Sequence, residues 1–308
     1  MKVISSLSGI RRQPNAVVAL GVFDGVHLAH RRILQDVVNK ARAINARSIV
    51  VTFWPHPQKE ETLYSLEHRL NLIGEIGIDI CVVIRFDKAF SLMSAEKFVN
   101  DFLLKRLGAG YIYVGENFRF GRGAKGDSRL LLKLSRSRRF TLRLYDAIKI
   151  KGRQISSTYI RKLINSGKLK TAEFLLGNPV SVLGTVKRGD SLAKRWGLPT
   201  ANIDPHHKVI PPSGVYAARA ILNNRKFPAV CYVGTRPTII KQSLGIKNKK
   251  PRKIEVHLFG LRRDIYGQDL QVQFIKKIRR ERKFVSVESL VKQIKKDILT
   301  AKSIFSLH

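Results

Sequence analysis

Two histidines three residues apart, His27 and His30, stand in the stretch VFDGVHLAHRRI at residues 22–33, directly after the apolar run AVVAL. Gly25 precedes them and two arginines follow. If the apolar run is a strand and a helix begins near His30, the turn between them offers free backbone N–H groups and two imidazoles to one space. That arrangement grips an anion such as phosphate. Two other readings remain open from the spacing: a pair of solvated histidines at a turn, and a metal pair, for which no third ligand is evident.

Other stretches carry hydroxyls, cations and hard oxygens. ISSTYIR (155–161) supplies three hydroxyls and Arg161 at a helix start, which makes either a second anion grip or an ordinary capped helix. WPHPQ (54–58) places His56 in a rigid turn after a strand. In GLPTANI (197–203), Thr200 and Asn202 are two apart and share one face of an extended strand. A hydroxyl and an amide oxygen are hard ligands suited to Mg2+ bound to a nucleotide. KIEVHLF (253–259) alternates, so Glu255 and His257 share a face; the carboxylate is either a base for an alcohol or part of a plain strand surface. KKIRRERKF (276–284) holds six basic residues in nine, the pattern of a solvated face.

GRGAKG (121–126) fits G-x-G-x-x-G, with Asp146 twenty residues after its last glycine. The dinucleotide fingerprint needs its first glycine directly after a strand, and ENFRF intervenes. The stretch therefore reads as a mobile loop with a basic rim at the sheet edge of His27. No G-x-x-x-x-G-K-[ST] occurs, so phosphoryl transfer of the P-loop type is excluded.

These residues need a scaffold, and the first half of the chain alternates. Strand candidates at 16–23, 47–53, 78–86, 111–115 and 140–148 are separated by helical patterns at 30–45, 66–76, 94–107 and 127–137. Near-continuous apolar strands between helices imply a doubly wound parallel sheet covered on both faces. Residues 155–180 read as two short helices, capped by Ser156 or Ser157 and broken at SG (166–167). After GNPV the texture changes to short strands at 181–186, 214–222, 227–234, 253–259 and 270–276, with turns at NNR (223–225) and YGQD (266–269). That spacing predicts an antiparallel barrel, closed by an amphipathic helix over about 287–302. The fold class is thus α/β, with domains 1–180 and 181–308.

The 308 residues carry a formal net charge of +36, which points to a polyanionic partner or to a background lysine bias. Cys81 and Cys231 lie far apart and form neither a disulfide framework nor a zinc site, which fits a reducing cytoplasm. No signal peptide and no apolar stretch of membrane-spanning length is read.

In order along the chain, GVFDGVHLAH, TFWPHP, VGENFRFG and ISSTYIR, then GLPTANI, PPSGVYA, VGTRPT, IEVHLF, YGQDLQVQF and IRRERKF, resemble the bacterial bifunctional riboflavin kinase/FMN adenylyltransferases, also called FAD synthetases. The resemblance implies an N-terminal domain that joins FMN to the AMP part of ATP, releasing pyrophosphate, and a C-terminal barrel that phosphorylates riboflavin with ATP. It implies that His27 and His30 hold the α/β-phosphates, in a turn that includes Gly21, Phe23, Asp24 and Gly25. Ser157, Thr158 and Arg161 would hold the outer phosphates, Asn117 and Arg119 of the GENFRFG loop would line the FMN side, and His56 would be a further substrate- or nucleotide-binding residue at that sheet edge. In the barrel it implies Thr200 and Asn202 for Mg2+ with ATP phosphates, Glu255 as base, and Arg279, Glu281 and Phe284 near the flavin. FMN and FAD would be substrate or product, with no dedicated nucleic-acid or membrane partner.

Two departures stand out. Ala29 replaces the family's usual glycine, and Ala193–Lys194 replace its usual Gly-Arg pair. They leave one rival, an adenylyltransferase with a weakened kinase half. The charge leaves a second, a basic nucleic-acid-binding protein, and a third, a single-activity nucleotidyltransferase for another substrate, is opposed by the kinase motifs.

Overall fold

The computed structural model describes residues 1–57, 61–188, 199–206, 209–234 and 252–306. The Ala193–Lys194 departure and parts of GLPTANI and VGTRPT lie outside the described residues. Contacts divide the chain into two compact units, Met1–Thr62 with Leu66–Ser157, and Leu63–Ser65 with Thr158–His308.

The first unit is built on a six-stranded, all-parallel sheet. Its strands are β1 (Lys2–Ile4), β2 (Ala16–Leu20), β3 (Ser48–Trp54), β4 (Ile80–Arg85), β5 (Ala109–Gly115) and β6 (Thr141–Tyr145), in the order β1-β4-β3-β2-β5-β6. The helices are α1 (Leu28–Ala43), α2 (Leu66–Glu75), the short α3 (Lys88–Ser91) and α4 (Ala95–Lys97), the latter running into a π-helical segment Phe98–Leu107, and α5 (Ser128–Arg138). A small hairpin, β7 (Lys149–Ile150) with β8 (Arg153–Gln154), follows the sheet. The apolar strands AVVAL and SIVVTFW are buried almost throughout, as a sheet covered on both faces requires. The chain order reverses between β2 and β5, so the carboxyl end of β2 is the topological switch point, where such sheets bind ligands.

Of the boundaries that differ from expectation, two bear on the site. β2 stops at Leu20 rather than Phe23 because Phe23 and Val26 adopt left-handed backbone, φ 54° and 41°, which no strand tolerates. α1 starts at Leu28, with His27 as its extended N-cap, so His30 lies inside the first turn and Ala29 is helical.

The second unit opens with α6 (Ser157–Asn165), whose first residue belongs to the first unit, and α7 (Leu169–Leu176). Then follow β9 (Ser181–Lys187), β10 (Ala201–Pro205), β11 (Gly214–Leu222), β12 (Arg225–Gly234), β13 (Lys253–Leu258), β14 (Asp269–Arg279) and α8 (Val287–Ser306). The six strands close into an antiparallel barrel in the order β10-β13-β12-β11-β14-β9. Asn223 and Asn224 both take positive φ between β11 and β12, the tight hairpin turn that NNR predicted. α8 lies on β11, β12 and β14, and buries Ile298 and Ala301 against Val215, Ala217 and Val230.

Candidate active sites

At the end of β2 the chain makes a turn that backbone preference alone would not hold. Gly25 (φ 85°) is at ease there, but Phe23 and Val26 are not. Neighbours impose the conformation. The Val22 carbonyl accepts from Thr52 Oγ1 at 2.9 Å and from Arg69 Nη1, and the Asp24 carbonyl accepts from Ser157 Oγ at 2.8 Å. Ser157 thus ties ISSTYIR to GVFDG within the first unit. Thr158 and Arg161 follow on α6 in the second unit, exposed and half-buried respectively.

The turn delivers His27 and His30 as a stacked pair, ring centroids 3.6 Å apart and 15° from parallel, with Phe23 edge-on to His30 at 5.3 Å. Burial holds the His27 imidazole down at about 4. Burial, then the charges of His27 and Arg69, hold His30 well below its ordinary value. Both rings are therefore neutral near pH 7, and each can donate one N–H bond rather than a full positive charge. Among the described residues both Nδ1 atoms are buried and lack a hydrogen-bond partner.

On the other side of Val22 lies an aromatic cleft of about 400 Å3. Phe53, Phe86, Phe90, Phe98, Phe118 and Phe120 line it, with His56, Asn117 and Arg119 supplying polar edges. The rings pack with centroids 5.6–6.3 Å apart. Arg119 pairs with Asp127 at 3.0 Å. Such a slot suits a flat heteroaromatic ring with a polar rim. The GRGAKG stretch forms one wall. It is a tied turn, with Phe120 and Gly126 exchanging backbone bonds of 3.1 and 2.9 Å and the Arg122 N–H donating to the Met93 carbonyl at 2.7 Å. A side chain at Gly121 would meet Ala95 backbone at 2.7 Å, so close packing explains that glycine and a dinucleotide fingerprint does not.

In the barrel, Asn202, Glu255, Tyr232, Val215 and Arg279 are successive cross-strand partners on one face. Two small clefts meet there. One, of about 70 Å3, is lined by Thr200, Asn202, Arg263 and Asp264 among others. The second, of about 90 Å3, is lined by Thr200, Tyr232, Glu255, Arg279 and Phe284, with Leu290 and Asp297 from α8. Thr200 lines both. His257 shares the Glu255 face, as the alternation predicted, and its Nδ1 contacts the Pro199 carbonyl at 2.7 Å, next to Thr200. Arg279 makes a three-bond pair with the buried Asp297, at 2.8–3.0 Å, and Phe284 packs under Arg279 and Arg282. Glu281 accepts the Tyr232 hydroxyl bond.

Comparison with known proteins matches this division. The family model for FAD synthetase covers residues 10–159 and that for riboflavin kinase covers 176–305. A bifunctional riboflavin kinase/FMN adenylyltransferase of Escherichia coli (strain K12) is 36% identical over 317 residues, covering 100% of this chain and 99% of that protein. The chain belongs to the bifunctional riboflavin kinase/FMN adenylyltransferase family. A relative of the same description from Bacillus subtilis (strain 168) is 30% identical, over 96% of this chain and 94% of that protein. A solved structure described as a macrolide-efflux protein from Streptococcus pneumoniae superposes with TM-score 0.79 and 26% identity, over 97% and 98% of the two chains. No described helix of this family member is long and apolar enough to cross a membrane.

Arg69, Tyr232, His257 and Asp297 were not identified as site residues from sequence. His257 left a signal in its alternation with Glu255, and Arg69 left another. Arg69 lies with His68, Leu72 and Ile73 on the buried stripe of α2, where a cation is out of place.

Proposed function

We propose that this family member makes FMN on the barrel face around Thr200 and Glu255, and FAD at the carboxyl end of β2, with ATP as second substrate in each. The observation that carries the reading is Thr200 lining two clefts at once, with Asn202 on one side and Glu255 on the other. A nucleotide phosphate in the first cleft and an alcohol in the second would meet at Thr200, as in-line phosphoryl transfer requires.

In the kinase reaction Glu255 takes the proton of the riboflavin ribityl hydroxyl as its oxygen bonds to the γ-phosphorus of ATP, and ADP leaves. Thr200 and Asn202 are neutral oxygen ligands open to a cleft, a donor set that fits Mg2+ completed by phosphate oxygens. When bound, Mg2+ neutralises charge on the transferring group. His257 steadies the Pro199 carbonyl and with it Thr200. Arg279 and Phe284 form the flavin-side wall, and Glu281 acts through Tyr232.

In the adenylyl reaction the FMN phosphate is already an anion and needs no base. It attacks the α-phosphorus of ATP, and pyrophosphate leaves. The site's task is to hold two anionic groups in line. His27 and His30 donate N–H bonds to the α/β-phosphates, Ser157 fixes the turn that carries them, and the isoalloxazine ring lies in the phenylalanine cleft with Asn117, Arg119 and His56 at its rim.

We assign the two activities to residues 1–180 and 181–308, without a dedicated nucleic-acid or membrane partner. Purified chain given riboflavin, ATP and Mg2+ should yield FMN and then FAD, separated by chromatography. FMN without FAD refutes the β2 site, and no FMN refutes the barrel site.

A further inference from the structure

Arg69 is 1% exposed, the largest fully buried side chain described. It rises from α2 against the turn that carries His27 and His30. Its Nη1 donates to the Val22 carbonyl and lies 3.5 Å from Thr52 Oγ1, and its guanidinium packs 5.5 Å from the centre of the Trp54 ring. Among the described residues, Nε and Nη2 are buried and have no hydrogen-bond partner.

Leaving guanidinium donors in a dry interior is costly. Burial does not remove the charge, since guanidinium keeps its proton in proteins. Its field reaches Asp24, Cys81 and His30, and Asp24 is the one carboxylate among them. A Leu or Met at this stripe position of α2 would bury as well without that penalty. The fold therefore retains a cation against the turn that carries two neutral imidazoles, with its field reaching His30. Those imidazoles have donors to offer an anion but no charge of their own.

We propose that Arg69 is a positioning residue of the adenylyl-transfer site. It clamps the Val22 carbonyl so that the left-handed turn at Phe23 and Val26 holds its shape, and it supplies the fixed positive charge at the turn of His27 and His30 that favours the polyphosphate of ATP over the flavin. The proposal rests on the β2-end reading of the adenylyl site. A preorganised charge costs no reorganisation when the α-phosphorus is attacked, and in a water-poor site it acts at close to full strength.

The test uses the full chain and inorganic pyrophosphate as probe. Arg69→Met keeps the length and removes the charge. It should weaken pyrophosphate inhibition and raise KM for ATP by roughly ten-fold or more, the scale of a lost bond to a charged group. KM for FMN should stay within about five-fold, below that scale. Arg69→Lys restores the charge and should bring pyrophosphate inhibition back within about five-fold of wild type.

Unchanged pyrophosphate inhibition in Arg69→Met overturns the proposal. So does equal weakening towards FMN and pyrophosphate, the mark of a purely structural role. If Arg69→Met does not fold, Arg69→Lys decides alone, and inhibition weakened beyond that limit overturns it. His30→Ala is run alongside. If it leaves FAD formation intact, the site reading itself has failed. If it abolishes FAD formation while Arg69→Met binds pyrophosphate normally, only the role of Arg69 has failed.

Discussion

Asn202 on β10 and Glu255 on β13 are direct partners across the antiparallel ladder. Side chains so paired stand about 4.5–5.5 Å apart at Cβ. The pairing puts a candidate Mg2+ ligand and a candidate base side by side on a rigid barrel, with Thr200 between their two clefts. The same row continues through Tyr232 and Val215 to Arg279, which α8 holds through Asp297.

Glu255→Gln keeps the shape of that row and removes the base. Riboflavin's alcohol is a poor nucleophile at neutral pH, so FMN formation should fall by about 10²–10⁴-fold. FAD formation from supplied FMN should persist, because its nucleophile needs no deprotonation. His30→Ala should do the reverse. Separate assays with riboflavin and with FMN read both arms, and a parallel loss in either variant refutes two independent sites.

The histidine pair predicts an acid-sensitive fold. His27 titrates at about 4 when folded, against 6.5 ordinarily, because burial penalises its charged form. Between those values the unfolded chain binds more protons, so stability is full above pH 6.5 and is lost as pH falls towards 4. Full loss amounts to about 3 kcal/mol from His27 alone, at 1.36 kcal/mol per pK unit. His27→Asn should flatten the fall of Tm between pH 6.5 and 4.5 relative to wild type. ATP should lessen the fall in wild type, since phosphates favour charged imidazoles. An identical pH slope in variant and wild type contradicts the burial argument.

Much of this was legible in the sequence where one segment carried the whole message. AVVAL followed by GVFDGVH announces strand, turn and donors within a dozen residues, and the alternation of KIEVHLF places Glu255 and His257 together. The end of β2 was misplaced because Phe23 and Val26 hold positive φ only by virtue of Thr52, Arg69 and Ser157, which are remote in sequence. β1, only three residues long, is too short for a period. The phenylalanine cleft left no local trace, since Phe53, Phe86, Phe90, Phe98 and Phe120 come from separate elements. Asp297 is likewise one acid on an amphipathic helix until Arg279 is seen beside it.

That pair gives a stability prediction. The Asp297 side chain is 4% exposed and that of Arg279 19%. Asp297→Asn leaves the guanidinium with a neutral partner in a largely dry place. Breaking a buried pair typically costs 3–5 kcal/mol, and the partial exposure of Arg279 puts the loss near the lower end, about 3 kcal/mol. Denaturant unfolding followed in the barrel should show it, with a raised KM for riboflavin because Arg279 and Asp297 both line that cleft. A change below about 0.5 kcal/mol, the range of ordinary surface substitutions, shows the pair to be solvated.

The net charge of +36 should not signify a nucleic-acid site. Non-specific binding to phosphates weakens steeply with salt, by about 10³–10⁵ between 50 and 200 mM when six to ten contacts form. A fluorescent duplex should therefore bind at low salt and release near physiological salt, without sequence preference. Retention with preference at 150 mM would reveal a dedicated site.

The last prediction concerns where the barrel half begins. Strand texture changes at residue 180, yet contacts assign α6 and α7 to the second unit. Those helices bury Ile160, Leu163, Ile164, Ala172, Leu175 and Leu176. A fragment 181–308 carries the complete barrel and should phosphorylate riboflavin, but it lacks α6 and α7 and the apolar side chains they bury. A fragment 158–308 keeps them. Each aliphatic side chain returned to water costs about 1.5–3 kcal/mol as an upper estimate, and 1 kcal/mol shifts Tm by about 2–4 °C in a domain of this size. The longer fragment should therefore unfold at least about 5 °C higher, with similar kinase turnover in both. Equal Tm values would mean that α6 and α7 add nothing to the barrel's stability. An unfolded 181–308 beside a folded 158–308 would move the functional boundary back to the start of α6.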